Sequence, residues 1–244
     1  NTHRRLAGLD PVTLDSALSK GCSAHAAYLV RNEGHPSTDG LGAHDENPKL
    51  PGYSPEGKKA AGASDIGYQD PVTSVDAWMS GLFHRVPILD PLLKKVGVGY
   101  AKGGKWGWVS VLDVVSGRGP GKPRDPVLYP APKQKDVPLT LGNELPSPVP
   151  DDSDKRAGYP VTITFREEVM VKGVIATMQD ETGKGLDVWL STPEHPADSR
   201  YQRNTICLIA KDPLRARTTY TITAQGNVAG KRWTKTWTFT TGGR

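Results

Sequence analysis

Residues 75–101 read VDAWMSGLFHRVPILDPLLKKVGVGYA, and this stretch decides how the first half of the chain is organised. It runs from a tryptophan-bearing helical pattern through a His84-Arg85 pair into the alternating apolar run VGVGYA. Apolar residues recurring at three and four positions mark a helix, and strict alternation marks a strand. The spacing predicts a helix over residues 70–85, with Val72, Val75, Trp78, Met79 and Leu82 on one face. It then predicts a β-pair formed by VGVGYA and KWGWVSVLDVV. His84 and Arg85 fall at the junction between the two patterns.

Upstream, DPVTLDSALSKGCSAHAAYLVRN at 10–32 carries Leu14, Leu18, Cys22, His25 and Leu29 on one helical stripe. Asp10 before Pro11 reads as its cap, since proline fits the first turn of a helix. His25 on that apolar face is expected to be a hydrogen-bonded core histidine. Residues 32–64 are rich in glycine and proline and predict loops, with a short helix opening at Pro55 and capped by Ser54. The first half is therefore read as α+β and closes near Val115.

Beyond it the character changes. The proline- and glycine-dense run SGRGPGKPRDPVLYPAPKQKDVP includes an expected linker at 118–125. Alternation then recurs in YPVTITF, LDVWL, NTICLIA, TTYTITAQG and WTKTWTFTT, separated by turn residues, and predicts an all-β sandwich. The turn-rich stretch at 142–158 is expected to be a loop or a disordered excursion. Two domains follow, 1–117 and 126–244, a division that the length of 244 residues allows.

Composition excludes several classes. With 36% hydrophobic and 23% charged residues and a mean hydropathy of −0.49, the chain is neither disordered throughout nor membrane-spanning. The net charge of +5 divides unevenly: 1–117 has 12 Lys/Arg and 12 Asp/Glu, whereas 118–244 has 19 and 14. The excess is scattered among acids rather than clustered, which argues against nucleic acid as a partner. Cys22 and Cys207 fall in different halves and are expected to be separate buried thiols. The opening residues NTHRRLAGLD lack both an initiator methionine and a signal-peptide core, and are read as the start of a trimmed or mature chain.

Five of the six histidines lie in the first 84 residues. His44 begins HDEN, beside Asp45 and Glu46, and His84 adjoins Arg85. Imidazole and carboxylate are common zinc ligands, so His44 and His84 are the candidate metal pair, although no HExxH or CxxC spacing accompanies them. No G-x-S-x-G elbow, Walker loop or strand-anchored G-x-G-x-x-G is present.

Trp78, FHRVPILDP and VGVGYA together resemble the W…HR…IL…P…GVG core of bacterial members of the CAP superfamily, named for cysteine-rich secretory proteins, antigen 5 and pathogenesis-related proteins. The resemblance spans about residues 4–115 and includes the helix at 10–32, His44 and PGYSPEG. It implies a three-layer α-β-α sandwich with an open cleft lined by histidines and acids. His44 matches the first cleft histidine, the GEN glutamate of the animal and plant pattern falls near Ala63 and Ser64, and Gly81 stands where a second acid is usual. The second half is similar to bacterial Ig-like domains of surface and adhesive proteins, through its ordered YPA…DVP, TITF…EV, TTYTIT and TFTT segments.

These resemblances imply an exported bacterial protein, secreted or held at the cell surface. The leading expectation is a non-enzymatic module whose cleft, lined by His44, Glu46, Asp76, Trp78, His84 and Arg85, takes a small apolar or metal-bridged ligand or a cell-envelope polymer. The rival is a zinc-assisted hydrolase in which His44 and His84 hold the metal, Glu46 is the base and Arg85 steadies an oxyanion. A third reading makes the chain a structural envelope component.

Overall fold

The computed structural model describes residues 1–121, 126–150 and 157–243. Residues 122–125 of the expected linker, and 151–156 of the expected loop, lie outside the described residues. The elements in chain order are α1 (Thr2–Leu6), β1 (Thr13–Leu14), α2 (Ser16–Arg31), α3 (Pro55–Ala61), β2 (Ser64–Gly67), α4 (Pro71–Met79), α5 (Arg85–Ile88), β3 (Lys95–Lys102) and β4 (Trp108–Asp113). Then follow β5 (Val127–Tyr129), β6 (Val161–Thr164), β7 (Val171–Asp180), β8 (Val188–Ser191), β9 (Thr205–Ala210), β10 (Thr219–Val228) and β11 (Lys231–Thr240). The chain forms two compact units, and the second takes Thr2–Leu9 and Ser80–Leu89 as well as the residues from 123 onward.

The first unit is built on a four-stranded sheet in the order β1-β3-β4-β2, with β1 parallel to β3 and the other pairs antiparallel. Helix α2 packs on β3 at very short range because Gly97 and Gly99 have no side chains. A Cβ at Gly99 would sit 2.1 Å from the Ser23 nitrogen, and one at Gly97 would sit 2.5 Å from the Leu18 carbonyl carbon. Cys22, Ala26, Tyr28, Leu29, Val109 and Val111 fill the core beneath it. Helix α4 lies against β2: the Trp78 indole N–H donates to the Ile66 carbonyl at 3.2 Å.

Two helix boundaries differ from the sequence reading. Helix α2 starts at Ser16, where the Asp15 carboxylate accepts from the Ala17 and Leu18 amides. Residues 13 and 14 pair with Lys95 and Val96 instead, so strand pairing overrides the Asp10-Pro11 start signal. Leu14 is consequently 68% exposed rather than part of the helical stripe. Helix α4 stops at Met79, because from Ser80 the chain turns to meet Glu144; a Cβ on Gly81 would lie 2.5 Å from that carboxylate. Helix α3 and its Ser54 cap form as expected, with the Ser54 hydroxyl accepting from the Gly57 amide at 2.9 Å.

In the second unit, two antiparallel sheets run β11-β10-β7 and β5-β6-β9-β8. Strand β10 buries Tyr220, Ile222 and Ala224 on one face and turns alternate residues outward, as a half-buried strand does. Strand β9 is buried at all six positions. Its Cys207 and Ile209 pack with Leu82, Phe83 and Val86, so the segment 80–89 covers this face of its sheet. Strand β7 was not marked by alternation: Gly173, at φ +59°, and the adjacent Val174 and Ile175 break the pattern. Both cysteines are buried free thiols.

Candidate functional site

In the first unit the residues following His44 diverge sharply. A short 3-10 turn over Gly40–His44 opens on the Asp39 carboxylate and delivers HDEN to the end of α3. His44 points Nδ1 at the Ala61 carbonyl, 3.3 Å away; a carbonyl only accepts, so this nitrogen carries the hydrogen. Asp45 turns outward and pairs with Lys58, which pulls the Asp45 carboxyl below its usual range and raises the Lys58 amine. Glu46 turns inward and is fully buried.

Both Glu46 oxygens are engaged. Oε1 lies 2.9 Å from His25 Nδ1, and Oε2 accepts from the Ser54 amide at 3.0 Å. The other ring nitrogen of His25 donates to the Ala43 carbonyl at 2.8 Å. The second proton of the pair lies between Nδ1 and the carboxylate, which makes His25 and Glu46 a buried, mutually neutralised couple. It ties α2, the HDEN loop and the N-terminus of α3 to one another. Ser54 serves twice, since its hydroxyl caps α3 while its amide holds Glu46.

Of the remaining expected cleft residues in this unit, Trp78 is buried in its contact with β2 and Asp76 is exposed on α4. His84 and Arg85 belong to the second unit. There Glu144, whose side chain is wholly buried, accepts from the Leu82 amide at 2.7 Å, the His84 amide at 2.9 Å and His84 Nδ1 at 2.8 Å. Arg85 is fully buried, with its guanidinium 5.0 Å from the Tyr129 ring centre and 4.5 Å from that of Tyr159. It donates to the Pro160 carbonyl at 2.5 Å. Burial pushes the Tyr159 hydroxyl far up, so the ring is a neutral stacking partner for the cation. Arg4 of α1 donates to the Ile88 carbonyl at 2.8 Å and holds the end of α5.

Among the described residues no group of three or more His, Cys, Asp or Glu is placed to hold a metal ion. The imidazoles of His44 and His84 belong to different units, and the Nδ1 atom of each already has a protein partner.

The family model of the cysteine-rich secretory protein family, CAP, matches residues 1–113. That region is a CAP domain. No curated protein matches the chain. Among solved structures, CopC from Methylosinus trichosporium OB3b aligns at 15% identity, covering 47% of this chain and 88% of that one with a TM-score of 0.30. A DUF4426 family protein from Pseudomonas aeruginosa PAO1 aligns at 16% identity over 36% and 76%, with a TM-score of 0.29. Similarity at that level carries nothing about function.

Within the CAP domain the helix histidine, His25, takes Glu46, two positions after His44, and the HR motif is anchored by residues beyond the domain's matched span. His25 was legible as a core histidine from its apolar helix face. Glu144, Tyr129 and Tyr159 had no local signal, since each meets His84 or Arg85 across 44 or more positions of sequence.

Proposed function

We propose that the chain is a non-catalytic binding protein, secreted by or displayed on a bacterium. In this reading a CAP domain of three-layer α-β-α architecture presents the ligand surface, and an Ig-like β-sandwich carries it. The ligand is a small apolar molecule or a cell-envelope polymer.

The observation that supports this most is the state of Glu46. A general base needs a free carboxylate within reach of a substrate proton. Glu46 is buried, and its oxygens are taken by His25 and Ser54. Arg85 is likewise enclosed by Tyr129 and Tyr159, which suits an anchor better than an oxyanion donor. The enclosure of both side chains supports a binding role over a hydrolytic one.

The test pairs binding with turnover on the intact chain. Lipids, sterols, neutral and acidic glycans and divalent metals are screened by calorimetry, alongside peptidase and esterase assays. Saturable binding without turnover is the expected result. Turnover abolished by chelator or by His44→Ala would overturn the proposal, as would a screen in which nothing binds.

A further inference from the structure

Strand β3 has two very different faces. Gly97 and Gly99 take one face into contact with α2. Alternation places Val96, Val98, Tyr100 and Lys102 on the other. The register sets Leu14 of β1 opposite Val96 and Trp108 of β4 opposite Lys102. These six residues form a row along one sheet face, and none is buried. Leu14 is 68% exposed and Tyr100 57%. At the rise of an extended strand the row is about 20 Å long. Apolar and aromatic surface held open on a regular sheet marks an interaction site more often than chance.

The aromatic end of the row carries fixed positive charge. The Tyr100 and Trp108 ring centres are 5.7 Å apart and tilted by 52°. Lys102 Nζ sits 4.4 Å from the centre of the Trp108 ring, whose negative face holds the ammonium in place. At the hairpin tip Lys105 stands 4.6 Å over Trp106 in the same way. The neighbouring acid, Glu33, is turned to the Lys105 backbone amide at 2.9 Å. No aspartate or glutamate belongs to the row.

We propose that this face binds an acidic polysaccharide strand laid along β3, with sugar C–H faces on Tyr100 and Trp108 and a carboxylate at Lys102. The inference rests on the reading of the chain as a binding protein and names its ligand class. A sugar ring offers an apolar face and a polar rim, which an aromatic platform beside a fixed ammonium satisfies together. The length and narrowness of the row suit a linear polymer. A bilayer surface is disfavoured because Tyr100 and Trp108 lie within paired strands and not on a protruding loop.

The full chain is run in native affinity gels containing alginate, polygalacturonate, hyaluronate or peptidoglycan, with neutral dextran as control, and is sedimented with phosphatidylglycerol vesicles. Retardation by at least one acidic polymer, weakened by salt and absent in dextran, is expected. Tyr100→Ala and Lys102→Glu, both at exposed positions, should each weaken it by about tenfold while the melting temperature holds. Retention by none of the four polymers would overturn the inference, as would co-sedimentation with vesicles in place of polymer binding. If both variants bind as wild type, the binding-protein reading stands and this surface is excluded. If no ligand in the wider screen binds either, both fall.

Discussion

Glu144 stands 60 positions beyond His84 and grips it twice, at the backbone amide and at the ring nitrogen. A third donor, the Leu82 amide, fills the other oxygen. The carboxylate therefore fixes the turn that follows α4. Glu144→Ala would strand three partly buried donors, at a cost of about 3 kcal/mol, and Glu144→Gln should cost less. Urea denaturation of both variants checks the order, and equal stability to wild type would contradict the geometry.

Arg85 is held by shape as much as by charge. A lysine at 85 keeps the charge but loses the planar face that lies against Tyr129 and Tyr159. Arg85→Lys should destabilise by roughly 2 kcal/mol or more. Thermal melts would show a clear drop, and a silent substitution would mean that the stacking contributes nothing.

His25 and Glu46 should behave as one element. Removing either leaves its partner buried and unmatched, which costs about 3–5 kcal/mol. The His25→Leu, Glu46→Leu double variant should cost much less than the sum of the singles. A double-mutant cycle measures the coupling, and additive losses would show that the couple is not the stabilising feature.

At Gly99 even one methyl group is too many. The atoms it would meet, the Ser23 nitrogen and the Cys22 carbonyl carbon, are backbone and cannot swing aside. Gly99→Ala should lose about 3 kcal/mol or fail to fold. Gly185→Ala, with nothing within 4 Å, serves as the control and should melt as wild type.

The two thiols give a pH-dependent readout. Burial pushes Cys22 up to about 11 and Cys207 up to about 12. Both should resist a thiol reagent at pH 8 in the folded chain and react once it is unfolded. A raised folded pKa gives stability that is present below the ordinary thiol range and lost as pH climbs through the folded value. Stability should accordingly fall from about pH 9 upward, and Cys22→Ser, Cys207→Ser chains should show a shallower decline.

What the sequence revealed was local. The β3–β4 pair, the Ser54 cap and the core position of His25 all follow from periodicity or neighbouring residues. What it hid depended on distant partners. The start of α2 moved because residues 13 and 14 found Lys95 and Val96, and α4 ended early because Glu144 drew the chain away. In HDEN, Asp45 and Glu46 differ by one methylene, yet one is solvated and the other enclosed. Their partners separate them, His25 and the Ser54 amide for Glu46 and Lys58 for Asp45, and spacing along the chain cannot supply the first of these.

The second unit draws Thr2–Leu9 and Ser80–Leu89 from within the first part of the chain. A protease cutting once near residue 120 would therefore release a carboxy-terminal fragment lacking the residues that cover Cys207 and Ile209. Such a fragment would be sticky and short-lived. By the same logic, the β-rich half could not be moved between genes as a cassette with a single junction. It has to travel with two short passages of the sequence that precedes it.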